Sequence, residues 1–283
     1  QYLWRLNMTN PLIQAYRKPA LYVSLPSGGK YYKEKPKLSV DGELAIYSMT
    51  ARDELISKTP DALFNGEATF SLIKSCAPDI VDAHDMPVND LMVVLIGIRM
   101  ASYGDTVSVD IKCPECEHLN QLGVSTNSLL ASVTENTSDE FVTLDNDFKV
   151  NCKPYSLKDR TLLQVQRIKQ GKLIDSLADT ELSDEERQTK FGETFIEIAD
   201  ITVTLIANAI TQVSPPEGEK VTDQDLILEW LKSITKDDYN NIKDCVENLS
   251  DNNIDTTFEA SCQNCDHQWK TSIDLDIANF FVG

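Results

Sequence analysis

The 283-residue sequence predicts an α+β fold with three parts: a helical N-terminal core (8–128), a large and mainly helical insertion (129–253), and a β-hairpin motif that this insertion splits and that residues 254–283 complete. Two observations predict this arrangement. Helical patterns occupy much of the first hundred residues and return in the middle of the chain. An alternating, strand-like pattern with two cysteines at its turn occurs twice, once on each side of the insertion.

The N-terminal core is predicted to have a buried central helix at 88–103. This segment is apolar almost all round, as expected for a helix enclosed by other elements. Gly104 ends it and leads directly into the first hairpin. The sequence predicts these preceding elements: a helical turn at 11–16, a strand at 20–25, a turn at 26–30, a strand at 43–49, a helix capped by Thr50, and helices at 60–65 and 67–76.

Seven cysteines occur, an odd number, and no secretion signal accompanies them, which argues against a disulfide framework. Four form two CxxC pairs, Cys113 with Cys116 and Cys262 with Cys265. One CxxC pair alone is also found in redox motifs, but two pairs supply the four ligands of a closed tetrahedral Zn²⁺ site. The other three cysteines are predicted to be ordinary small core residues: Cys76, Cys152 and Cys245.

The surroundings of the two pairs repeat at a spacing of 149 positions. Cys113 matches Cys262, and His118 matches His267, with alternating segments before and after each pair. Each copy predicts a strand, a metal-binding knuckle and a second strand, so the two together form a zinc ribbon split by the insertion. Four thiolates leave no open coordination position, so the zinc is predicted to be structural. The histidines are interpreted as surface groups or as neighbours of the ligands, with ligation in place of a cysteine as the alternative.

The insertion begins with a polar linker at 129–140 and continues with a hairpin at 141–153 that turns at 145–147. Ser156 is predicted to cap one helix, and Ser183 to open the longest helix of the protein with a Ser-x-x-Glu capping box. Two shorter capped helices follow a break of that long helix at 215–218. The long helix is predicted to bury one face: Phe191, Phe195, Ile198, Thr202 and Leu205.

The charge balance disfavours phosphate and lipid partners. Lys and Arg number 26 against 45 Asp and Glu, a net charge of −19, and the basic residues are scattered. Such a chain is repelled by nucleic acid and by anionic membranes. The longest apolar run, 91–98, is far shorter than the roughly 20 residues of a membrane span. Residues 1–7 lack the apolar segment of a signal peptide and are interpreted as a non-native or upstream leader before Met8, so an intracellular protein is expected.

Catalytic motifs are absent from the sequence. It contains no HExxH, GxSxG or GxGxxG pattern and three histidines in all. The Gly-rich turn is not a phosphate-binding loop, because Lys30 is followed by Tyr31 and not by Ser or Thr. Paired aspartates at 145/147, 223/225 and 274/276 are better explained by turns, caps and strand surfaces. We therefore predict a protein that is not an enzyme.

Several short motifs point to a family. They are the stretch 25–32 (LPSGGKYY), the stretch 98–104 (IRMASYG) running into the first CxxC, the second CxxC followed by Asn-Phe-Phe at 279–281, Asn-Pro-Leu at 10–12, and Lys-Pro-Tyr at 153–155. Together they resemble the baseplate hub assembly proteins of T4-type contractile-tailed bacteriophages, over residues 8–283. This resemblance implies a non-enzymatic assembly factor or structural subunit that contacts other baseplate or hub proteins. It implies a location in the host cytoplasm during assembly, or in the tail baseplate of the virion, and leaves the oligomeric state open.

Two other function classes agree less well with the sequence. A zinc-ribbon nucleic-acid-associated or regulatory module is the main alternative, but the knuckles carry Glu115, Glu117 and Asp266 with few basic neighbours. A metal-dependent hydrolase would require an open coordination site, which four thiolates do not leave. In the favoured interpretation the zinc holds the two ends of the insertion together, so that its helices present one surface.

Overall fold

A computed structural model describes residues 17–57, 67–178, 184–251 and 254–273 of the chain. The α+β prediction is confirmed, since helices combine with small antiparallel sheets throughout these ranges. Several expected features lie outside the described residues: the helical turn at 11–16, the helix at 60–65, the Ser183 cap and the closing Asn-Phe-Phe. None of the helices described has the length and hydropathy needed to span a membrane.

The described strands are β1 (Leu21–Ser24), β2 (Glu43–Ile46), β3 (Thr106–Lys112), β4 (Leu119–Ser125), β5 (Phe141–Thr143), β6 (Lys149–Cys152), β7 (Ile210–Ser214), β8 (Thr257–Ser261) and β9 (Gln268–Ser272). They pair as β1–β2, β3–β4, β5–β6–β7 and β8–β9. The helices are α1 (Ala51–Ser57), α2 (Glu67–Cys76), α3 (Val88–Tyr103), α4 (Thr126–Ala131), α5 (Leu157–Ala178), α6 (Asp184–Ala209), α7 (Gln224–Leu231) and α8 (Lys236–Leu249).

The first hydrophobic core surrounds α3, the helix predicted to be central and buried, and that prediction is confirmed. The β1–β2 sheet packs closely on α3 at Gly97. A Cβ atom at this position would lie 3.1 Å from the Val23 side chain and 3.3 Å from that of Ile46. Glycine therefore allows the close approach. Helix α2 and the 3₁₀ turn Ala83–Asp85 complete this core.

Helices α1 and α5 begin with reciprocal caps, as the sequence predicts. The Thr50 hydroxyl accepts a hydrogen bond from the Asp53 N–H at 3.2 Å, and the Asp53 carboxylate accepts one from the Thr50 N–H at 2.8 Å. Ser156 and Asp159 repeat this arrangement at 3.2 and 2.9 Å. Each pair satisfies two backbone N–H groups at a helix start.

A second hydrophobic core lies between the β5–β6–β7 sheet, helices α7 and α8, and the end of α6. Val150 of β6 and Val246 of α8 are fully buried in it. The predicted hairpin turn at 145–147 is confirmed between β5 and β6. The caps predicted for α7 and α8 are also confirmed, with Asp223 and Thr235 as the capping residues.

Three details of the insertion differ from the prediction. The long helix ends at Ala209 and not at Pro215, because residues 210–214 pair with β6 as strand β7. Phe195 is 60% exposed although it was predicted to face the core; among the side chains of α6 that the structure describes, those in the second core lie in its last two turns. The predicted linker begins as helix α4, which the Ser125 side chain caps through the Ser128 N–H.

The two cores are joined by backbone hydrogen bonds. The Val88 N–H at the start of α3 donates to the Tyr155 carbonyl at 2.9 Å, and the Leu157 N–H at the start of α5 donates to the Met86 carbonyl at 2.8 Å. The Asn136 side chain donates to the Leu249 carbonyl at the end of α8, at 3.1 Å. Tyr155 packs against the second core and Leu249 belongs to it, so these bonds tie that core to the start of α3 and to the segment at Asn136.

Candidate metal centre

Two β-hairpins carry the CxxC pairs in their turns. The turn of the first hairpin joins β3 to β4, and that of the second joins β8 to β9. In the first turn the Cys113 N–H donates to the His118 carbonyl at 2.9 Å; in the second, the Cys262 N–H donates to the His267 carbonyl at 2.9 Å. The two turns therefore share one hydrogen-bond pattern, as their sequence repeat predicts.

The same position in each turn has a left-handed backbone. Glu117 has φ 57° and Asp266 has φ 58°, and each N–H donates to the carbonyl of the first cysteine of its pair at 3.0 Å. This conformation is uncommon for residues other than glycine, although aspartate adopts it more readily than most. The left-handed conformation occurs at the equivalent position of both turns, where it closes each turn around its sulfur atoms.

The four cysteine sulfurs converge at one point between the hairpins. The Sγ atoms of Cys113, Cys116, Cys262 and Cys265 all lie within 4.8 Å of one another. Across the two hairpins, Cys113 Sγ is 3.8 Å from Cys265 Sγ, and Cys116 Sγ is 3.6 Å from Cys262 Sγ. A disulfide bond is much shorter, at roughly 2.05 Å. All four cysteines are accordingly free thiols.

The sulfur spacing fits one tetrahedral metal ion. Thiolates bound to Zn²⁺ at about 2.3 Å stand at the corners of a tetrahedron whose edges are about 3.8 Å. The cross-hairpin distances are close to that edge length. The predicted residues are thus brought together in a cluster that could hold a metal ion. Among the described residues this cluster contains neither His118 nor His267. His267 instead stacks on Trp269, with ring centroids 5.9 Å apart.

Cys262 is prepared to act as a thiolate. Burial raises its pKa, but hydrogen bonds from the backbone N–H groups of Asn264 and Cys265 and from neighbouring thiols outweigh burial and lower the pKa of Cys262 to about 6. The Asn264 N–H lies 3.4 Å from the Cys262 sulfur. Because metal ions bind the thiolate, these N–H groups favour the ligating form of this cysteine.

Asn120 connects the two turns and was not identified from the sequence. Asn120 is fully buried. Its side-chain oxygen, Oδ1, accepts a hydrogen bond from the Gln263 N–H at 2.8 Å, and its side-chain nitrogen, Nδ2, donates to the His118 carbonyl at 3.0 Å. It therefore fixes the second turn against the first independently of the sulfurs. A single asparagine within a strand has no distinctive spacing, and its equivalent in the repeat is Trp269, so the sequence contains no signal for this role.

The other three cysteines lie away from this cluster. Cys76 and Cys152 are buried in the first and second cores, as predicted, and desolvation raises the pKa of Cys76 to about 12. Cys245 differs from the prediction because it is only half-buried. It lies on α8, next to Val246, whose side chain occupies the fully buried face of that helix.

The Gly-rich motif at 26–32 attaches a loop to the central helix. The fully buried Asp90 carboxylate, in the first turn of α3, accepts hydrogen bonds from the Ser27 N–H at 2.8 Å, the Ser27 hydroxyl at 2.5 Å and the Tyr32 hydroxyl at 2.8 Å. Burial raises the pKa values of both Asp90 and Tyr32. The partners of the carboxylate are all in this loop, which indicates a structural role for the motif.

Comparison with known proteins identifies one family. Residues 19–282, nearly the whole chain, match the family model described as T4 bacteriophage base plate protein. The match includes both hairpins, both cores and all four clustered cysteines. Searches of curated proteins and of solved structures find no match to the chain.

Proposed function

The chain belongs to the T4 bacteriophage base plate protein family, and on that premise we propose that it is a non-enzymatic assembly factor or structural subunit of the baseplate hub of a contractile-tailed phage. The observation that carries this proposal is the extent of the match, 19–282, which leaves almost no part of the chain outside the family. Its partners are other phage baseplate proteins, and it acts through protein–protein contacts with them.

We propose that Cys113, Cys116, Cys262 and Cys265 bind one Zn²⁺ ion and that the two hairpins are the halves of a split zinc ribbon. Support comes from the equal turn geometry and from sulfur spacings of 3.6 and 3.8 Å across the hairpins. Four thiolates occupy every position of a tetrahedral ion. The metal therefore contributes stability and no catalytic water.

The proposed role of the zinc is to close the base of the insertion. The chain leaves the first hairpin through α4 and returns to the second hairpin at Asp255, whose N–H donates to the Ser132 hydroxyl at 3.1 Å. An ion held by both hairpins would keep these two ends together. The helices of the insertion would then be presented to a partner in one fixed orientation.

The charges near the proposed zinc site favour protein partners over nucleic acid. Glu115, Glu117 and Asp266 are exposed on the two turns. Carboxylates at the tips of both hairpins repel phosphates, in keeping with the net charge of −19. The main alternative, a nucleic-acid-binding ribbon, lacks support here because the turn residues 113–118 and 262–267 include no Lys or Arg.

Quantitative mass spectrometry of tail-assembly intermediates and mature particles from infected cells tests the proposed function. We expect the protein to co-purify with hub proteins in the intermediates. Stoichiometric presence in mature particles would identify a structural subunit, and loss on maturation an assembly factor. Absence from both fractions, together with complete hubs in phage that lack the protein, would contradict the proposal.

A further inference from the structure

Two thiols outside the zinc site are direct neighbours in the second core. Cys152 ends β6, and Cys245 lies on α8, which packs against that strand. The Cys152 N–H donates to the Glu140 carbonyl at 2.8 Å, and the Cys245 thiol donates to the adjacent Asp139 carbonyl at 3.5 Å. The two side chains also interact, because each thiol shifts the pKa of the other. Cys152 from β6 and Cys245 from α8 thus both contact the same short segment, Asp139 and Glu140.

The two thiols differ in their access to solvent. Cys152 is 3% exposed and enclosed by the core, whereas Cys245 is half-buried and lines an open cavity of about 580 Å³. Asp139, Phe141 and Asn248 form part of the wall of the same cavity. A small polar molecule can therefore reach the sulfur of Cys245, while Cys152 is almost completely shielded from solvent.

We propose that Cys152 and Cys245 form a redox couple that closes to a disulfide when the protein meets a peroxide, with Cys245 as the attacking thiol and Cys152 as the resolving thiol. This inference does not depend on the proposed baseplate function or on zinc. A disulfide would fasten α8 to the sheet beneath it and close a loop of about 90 residues.

The reaction proceeds in two balanced steps. The Cys245 thiolate attacks one oxygen of hydrogen peroxide, the O–O bond breaks, and the sulfur becomes a sulfenic acid while the other oxygen leaves as water after taking a proton. The Cys152 sulfur then attacks the Cys245 sulfur, the S–O bond breaks, and a second water leaves. Two thiols are oxidised to one disulfide, and one peroxide is reduced to two water molecules.

The electrostatics of the pair agree with these roles. The interaction with Cys152 lowers the pKa of Cys245, whereas the interaction with Cys245 and burial raise the pKa of Cys152. The more accessible sulfur is therefore also the one that ionises more easily, which is the combination that peroxide-reactive cysteines require.

The test uses the full-length, zinc-loaded protein treated with a small excess of hydrogen peroxide, followed by alkylation and non-reducing peptide mapping. We expect a Cys152–Cys245 linked peptide that dithiothreitol reverses, with the zinc retained and the thermal midpoint raised by about 5 °C or more. Cys76 is the internal control: it is fully buried and should remain reduced in the same sample.

Two variants separate the roles of the two thiols. In Cys152→Ala, the sulfenic acid of Cys245 should accumulate and be trapped by a dimedone probe. In Cys245→Ser, Cys152 should remain unoxidised at the same peroxide dose. Oxidation of Cys152 at the wild-type rate in Cys245→Ser, or a wild-type protein in which Cys245 reacts no faster than Cys76, would overturn the proposal. Circular dichroism of each variant verifies that it is folded.

Discussion

The two hairpins have nearly identical turns but very different attachments to the rest of the molecule. The first follows α3 directly, and its Val107 side chain belongs to the first core. From the described part of the second hairpin and its entry segment, 254–273, Ile254 is the residue that packs against that core. Two hairpins with the same local geometry therefore differ in the contacts that hold them in place. The first hairpin is stabilised by core packing, and the second by its contacts with the first.

Loss of the proposed zinc ion should therefore affect the second hairpin most. On chelation, or in Cys262→Ser, we expect amide hydrogen exchange in β8 and β9 to accelerate roughly 100-fold or more, because a structural metal contributes its binding free energy to folding. Exchange in β3 and β4 should accelerate less than about 10-fold, since core packing remains. Hydrogen exchange with mass spectrometry measures both. Equal acceleration in the two hairpins would refute the proposed difference.

Removal of the Asn120 side chain should give the next largest effect. Asn120→Ala leaves the Gln263 N–H without its partner, which we expect to destabilise the protein by about 1–3 kcal/mol. A residue that orients metal ligands from outside the coordination sphere typically changes affinity about 10–100-fold, so the zinc Kd should rise by that factor. Competition with a chromophoric chelator measures it. Gln121→Ala is the matched control, because its exposed side chain is on the same strand; a similar loss there would contradict the role of Asn120.

Substitutions at two equivalent positions, one in β3 and one just before β8, test how each hairpin is attached to the first core. Val107→Ala should lower the free energy of unfolding by about 1–2 kcal/mol, because it removes buried methyl groups from the first core. Thr256, its equivalent in the repeat, is half-exposed. Thr256→Ala should therefore cost less than about 0.5 kcal/mol. Urea unfolding monitored by tryptophan fluorescence compares them. Equal costs would indicate that both hairpins depend on the core in the same way.

The smallest expected difference concerns the left-handed residues of the turns, Glu117 and Asp266. Glycine adopts this conformation without steric cost, so Glu117→Gly should stabilise the protein by about 0.5 kcal/mol. Asp266→Gly should change stability by less than about 0.3 kcal/mol, because aspartate already tolerates positive φ. Differential scanning calorimetry of the zinc-loaded proteins tests both. A loss of stability in Glu117→Gly would mean that the glutamate side chain contributes a contact of its own.

The parts of the fold that sequence predicts well are those in which one physical signal dominates. Helix α3 is apolar on all sides, so it is stable only where other elements cover every side of it. The doubled CxxC pairs could be matched without knowing the fold, because metal coordination constrains both their residue type and their spacing. The caps at Thr50 and Ser156 are short-range hydrogen bonds and depend little on distant residues.

The parts that sequence predicts poorly depend on distant partners. The segment 210–214 continues the apolar spacing of α6, and only pairing with β6 makes it a strand. Phe195 fits the helical stripe of a core face, but the second core does not extend that far along α6. Asn120 is identified only when the second turn is seen beside it, because its partner, Gln263, lies 143 positions later in the chain.

The proposed zinc ion is held by four cysteines from two hairpins. X-ray absorption spectroscopy at the zinc K edge, combined with elemental analysis of the purified protein, tests this coordination. We predict one zinc per chain with four sulfur ligands at about 2.3 Å, and loss of the metal in Cys113→Ser and in Cys262→Ser alike. A metal-free protein, or a zinc ion with nitrogen or oxygen ligands that remains bound in both variants, would contradict a four-cysteine site.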